Sequence, residues 1–136
     1  MNAVALSAVV GDEAIRSVVA GHCGLASEDV TVAETDDGLP AERSSRGVDV
    51  FTSSMRGAFV FWLDIFAGGR VRSDADLAAA FVRDLQVEAL VRDPTPNPYR
   101  FVHLKPPDGA STTVLVDGTR FDDHNTIVLL EDGSKR

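Results

Sequence analysis

The segment Phe59-Val60-Phe61-Trp62-Leu63-Asp64-Ile65-Phe66 does most to narrow the folds open to this chain. Every position except Asp64 is aromatic, β-branched or leucine, so a strand drawn through it carries apolar side chains on both faces. Such a strand is stable inside a sheet that has cover on two sides. The sequence therefore predicts a strand over 58–67, ended by Gly68-Gly69, at the centre of a sheet.

The remaining elements follow from periodicity. Ala14, Ile15, Val18, Val19 and His22 recur at helical steps, which predicts a helix over 12–22 with Asp12 and Glu13 at its positive end and Gly24 as its stop. Val30 and Val32 alternate with Thr31 and Ala33 in a short strand over 29–34. Residues 35–46 are polar, contain Gly38 and Pro40, and have no period. They read as an exposed connection of a length at which loops are either functional or tolerated insertions. A strand over 47–52 then leads through 53–57 into the central strand as a hairpin. Ser73 can cap a helix whose stripe is Leu77, Ala80, Phe81 and Leu85, with Asp76 where a capping box carries Glu or Gln. Further strands are predicted over 87–92, 99–105, 112–116 and 126–131, separated by the proline-rich 93–98 and the turn 106–109.

Strands that cluster, instead of alternating singly with helices, define an α+β class: one domain over 1–136, a mainly antiparallel sheet with two helices packed on one face. Residues 12–34 and 74–92 each give a helix and then a Val-rich strand, each followed by a hairpin-like pair. That order is a weak αβββ pseudo-repeat. A chain of this length buries roughly two thirds of its unfolded surface, enough for a core without covalent staples.

Charge and cysteine content limit the partners. The formal charge of −8, from 21 acidic and 13 basic residues, repels a phosphate backbone and excludes nucleic acid as the expected partner. It suits either solubility or the steering of a basic protein. Cys23 stands alone, so no internal disulfide or zinc pair forms, which fits a reducing cytoplasm. The apolar residues of 1–10 have no basic residue before them and Asp12-Glu13 after them, so no secretory signal is expected. No run reaches the roughly 18 apolar residues of a membrane span. Two lysines among the basic residues, with frequent Ala, Val, Asp and Gly, point to a GC-rich bacterial source. Nucleotide-binding glycine loops, nucleophile elbows and zinc-protease motifs are missing, so no cofactor, metal or catalytic set is expected.

Five places could carry chemistry or binding. Asp64 shares a strand face with Val60, Trp62 and Phe66, where burial would suit it to acid–base work; alternatively the strand ends there, or Arg56 or Arg100 pairs with it. Asp122, Asp123, His124 and Asn125 are the densest group of possible metal or acid–base side chains, but they lack calcium-loop spacing and read first as a turn. His22 and Cys23 are adjacent, yet helical neighbours diverge by about 100° and cannot form a dyad. His103 lies in a row with Tyr99, Phe101 and Lys105, either an exposed binding surface or the solvated side of the sheet. Glu34, Asp36 and Asp37 would form the acidic contact for a basic partner.

The function expected from these residues is a small, soluble, non-enzymatic protein-binding module of the inhibitor or immunity type. One alternative is a small enzyme or ligand-binding protein with a pocket near Asp64. The other is a homo-oligomeric assembly subunit, dimerising through the β-rich edge 126–130.

Overall fold

A computed structural model describes residues 2–34, 47–94 and 97–130. The N-terminal apolar residues, for which the sequence predicts no element, form strand β1 (Asn2–Leu6), followed by helix α1 (Asp12–Cys23) and strand β2 (Val30–Glu34). Strand β3 (Val48–Ser54), the short β4 (Arg56–Gly57) and β5 (Phe61–Phe66) come next, then helix α2 (Asp74–Leu85). Strands β6 (Ala89–Arg92), β7 (Arg100–Lys105) and β8 (Ala110–Val116) run into helix α3 (Gly118–His124) and the short β9 (Thr126–Ile127) and β10 (Leu129–Leu130).

Eight strands form one mixed, mostly antiparallel sheet in the order β10-β8-β7-β6-β1-β5-β3-β2. The strand that dominates the sequence is interior, between β1 and β3, but the middle of the sheet is the β6–β1 junction. It is also shorter than expected. Val60 still bonds the chain beside β5, its N–H donating to the Leu6 carbonyl and its own carbonyl accepting from Met55, whereas Ala58 N–H donates to the Ile127 carbonyl, outside that ladder. The one parallel pair in this sheet is β2 with β3, in register from Val30–Val48 to Glu34–Thr52. The corresponding strands of the second half, β6 and β7, are antiparallel.

Alternation sorts the side chains of the sheet into two cores. Val4, Leu6, Phe61, Leu63, Ile65, Ala89 and Val91 face a cluster to which α1 gives Ile15, Val18 and Val19 and α2 gives Leu77, Ala78 and Phe81. The two helices contact each other, and α2 also contacts β1, β6 and β7. Their ends follow the local chemistry anticipated for them. The Ser73 hydroxyl accepts from the Asp76 N–H at 3.1 Å, and Gly24 closes α1 in the left-handed conformation at φ 70°.

The opposite face holds Ala5, Phe59, Leu90, Phe101, Val116 and Ile127, with Met55, Trp62, Val114, Phe121 and Leu129 packed around them. Its cover is a third helix that the sequence pattern did not reveal. Residues 122–125, expected as a turn, instead end α3: the Asp117 carboxylate accepts from the Arg120 N–H at 3.1 Å, and Asn125 closes the helix at φ 48°. Of the single strand expected over 126–131, the described residues 126–130 split at Val128, whose carbonyl accepts from Asp117 N–H. β9 then pairs with β4, and β10 with the end of β8. No helix among the described residues is long and apolar enough to cross a membrane.

Candidate functional site

The docking of α3 builds a groove on this side of the sheet. Phe121 anchors the helix. Its ring lies 5.8 Å from Phe101 and 5.9 Å from Trp62, while the Arg92 guanidinium covers Phe101 and Phe121 at 5.5 Å from each ring centre. With Phe121 turned inward, the neighbouring Asp122 and Asp123 are left on the exposed side of the helix.

A groove of about 480 Å³ runs between α3 and the sheet edge, lined by Tyr99, Leu115, Gly118, Thr119, Asp122, Asp123 and Leu130 among others. Tyr99 lies flat against Gly118, where an added Cβ would come within 2.8 Å of the ring. No larger residue fits without moving the tyrosine. In that position the Tyr99 hydroxyl donates to Asp122 Oδ2 at 2.5 Å. The hydrogen bond, and then the negative charge of Asp122, raise the phenol above its ordinary pKa. Asp123 also lines a second depression with Ser54, Met55, Arg56, His124 and Asn125. It therefore stands on the ridge between the two. Carboxylates, a phenol and the exposed Leu130 together can accept hydrogen bonds from a cation while covering its aliphatic stem.

The other expected residues lie apart from this groove. Asp64 is half-buried, with β-ladder partners Phe51 and Ala3. It pairs with neither Arg56 nor Arg100: its Oδ1 accepts from the Trp62 indole N–H at 3.0 Å, and Arg100 bonds Asp93 at 2.9 Å. Asp64 thus holds the tryptophan in place. Sequence reasoning missed Asp49, an acidic residue only 4 % exposed. It lies opposite Phe66, one diagonal step from Asp64 on the same face of the sheet.

His103 is not on an exposed row. It is 7 % exposed, with Phe101 beside it at 1 %. The imidazole meets Phe59 edge-on at 5.3 Å, and its Nε2 bonds Glu88 Oε1 at 2.5 Å. The expected solvated face is the second core, which α3 and the residues after it cover. Glu34 is exposed at the end of the edge strand β2, whereas Asp36 and Asp37 lie outside the described residues. Among the described residues, no three His, Cys, Asp or Glu side chains come together to hold a metal ion. Asp64, His103 and His124 do not converge: His103 bonds Glu88, Asp64 bonds Trp62, and His124 lines the depression beside Asp123.

Comparison of the chain with protein-family models, with curated proteins and with solved structures returns no match.

Proposed function

We propose that the protein is a small protein-binding module that takes a basic segment of a partner into the groove beside α3. The observation that carries this reading is the juxtaposition of Asp122, Asp123 and the Tyr99 hydroxyl over Leu115 and Leu130. A lysine or arginine has the matching form, with an apolar stem for the leucines and a charged head for the carboxylates. The overall charge of −8 adds steering at a distance. Blocking a basic surface in this way is how an inhibitor or immunity-type protein would neutralise its target. The acidic contact therefore moves from Glu34, Asp36 and Asp37 to the α3 groove.

The test is titration of the full chain with a short arginine-containing peptide and with its glutamate counterpart. The reading expects saturable binding of the arginine peptide only, weakened by salt. It also expects binding about tenfold or more weaker in Asp122→Asn/Asp123→Asn, the order of effect for charge-assisted hydrogen bonds. Equal binding of both peptides, or no effect of the double substitution, would overturn it.

A second reading, self-association through a sheet edge, has one observation in its favour. Among the described residues, β10 pairs only with Leu115 and Val116, so the outer edge of β8 from Ala110 to Val114 carries no strand. Ser111, Thr112 and Thr113 are exposed there, without the charges or prolines that usually protect an edge. Sedimentation at two concentrations tests it. A concentration-dependent dimer that disappears in Thr112→Pro supports edge pairing, and a monomer at both concentrations rules it out.

A further inference from the structure

The helical side of the molecule carries a cavity of opposite charge. Between the last turn of α1, the loop after β5 and the outer face of α2 lies a depression of about 370 Å³, lined by His22, Arg70, Arg72, Asp76, Ala79 and Arg83. Three exposed arginines and the half-buried His22 thus line one open depression with the exposed Asp76, in a chain whose formal charge is −8. Local sequence explains how they meet. Gly68 and Gly69, at φ 59° and 85°, turn the chain sharply after β5 and deliver Arg70 and Arg72 to the ends of the helices. On α2, Asp76, Ala79 and Arg83 follow at three- and four-residue steps and so share one face.

Among the described residues these arginines form no ion pair. Arg70 is held by one corner, its Nη1 donating to the Ala67 carbonyl at 3.1 Å and the Gly47 carbonyl at 3.4 Å. Arg72 and Arg83 form no ion pair with any described residue, and Asp76 lies beyond ion-pair distance of all three. Like charges brought together repel, and an anion between them relieves that repulsion. Asp76 and the negative end of α1, equivalent to roughly half a charge, oppose the anion but leave a positive excess. The arginine fork matches the oxygens of a phosphate in a way that a point charge does not. A volume near 370 Å³ exceeds the needs of a bare phosphate and lies at the lower end of the roughly 300–1,000 Å³ of small-molecule pockets.

We propose that this cavity binds the phosphoryl group of a small phosphomonoester, with Arg70, Arg72 and Arg83 as its donors. The site is independent of the groove beside α3 and stands or falls separately. Isothermal titration of the full chain with glycerol phosphate and inorganic phosphate, against succinate at matched ionic strength, tests it. Saturable binding of both phosphates is expected, tighter for the ester. Arg83→Ala should weaken it about tenfold or more, and Arg72→Lys should weaken it less, because it keeps the charge and loses the fork. Asp76→Asn should tighten it, since a like charge is removed while the backbone N–H capped by Ser73 is retained.

That gain of affinity is a result a merely structural arginine cluster would not produce. Should Arg83→Ala fail to fold, Arg72→Ala on the exposed loop and Asp76→Asn carry the same comparison. No saturable heat with either phosphate, tighter binding of succinate, or unchanged affinity in the arginine variants would each overturn the proposal.

Discussion

Tyr99 is the residue whose chemistry can be read most directly, because it is the only tyrosine in the chain. Its hydroxyl donates to Asp122, and the bond and adjoining charge favour the neutral phenol, so its pKa rises above the ordinary 10.0. The tyrosinate absorbance of the folded protein should therefore titrate with a midpoint above 10.0, and Asp122→Asn should bring it down toward that value. The sign for stability follows from linkage. A phenol bound more tightly to its proton in the folded state adds stability that is complete below the unfolded pKa and is lost as pH rises through the folded one. A midpoint at or below 10.0 in the parent protein would contradict the pair. Asp64 shows the complementary lesson. The sequence singled it out as the polar break in an apolar strand, and that break is real, but its partner is Trp62, two residues away on the same face. The pairing was written in the i, i+2 spacing of the strand.

At the scale of elements, α3 separates what periodicity can reveal from what it cannot. Helices α1 and α2 announce themselves through repeated apolar stripes and terminal residues of the right kind. The sequence of α3, Gly-Thr-Arg-Phe-Asp-Asp-His, has a single apolar residue and no stripe. It forms because Asp117 caps it and because Phe121 finds Trp62 and Phe101 waiting on the sheet. Its stability is therefore tertiary. Phe121→Ala should cost about 2 kcal/mol in chemical denaturation, less than truncation of a fully buried phenylalanine because Phe121 is half-buried. It should also expose the sole tryptophan, so that Trp62 emission shifts to the red in the native baseline. An unchanged emission maximum would mean that α3 holds its place without its anchor.

Across the whole molecule, two cores share one sheet, and His103 is a polar residue buried at the second of them. It fills space against Phe59 and bonds Glu88 from the strand edge. His103→Ala should therefore destabilise the fold by about 2–4 kcal/mol through cavity and lost hydrogen bond together. Groove binding at α3 should survive in the fraction that remains folded; loss of peptide binding without loss of stability would instead make His103 part of a site. What the sequence determined by itself was local: the two long helices and their caps, most strand positions, and the interior placement of Phe61 to Phe66, each set by side-chain period or by a capping residue. Only the tertiary structure decided which faces meet. It put β1 beside the middle of the sheet, made β2 parallel to β3, buried His103 under Phe59, and brought Arg70 and Arg72 of one loop to Arg83 of α2 and His22 of α1 around one depression. Most of those contacts join residues far apart in the chain, as His103 with Phe59 and His22 with Arg83. No local period encodes them, because their free energy comes from surfaces that exist only once the sheet has assembled.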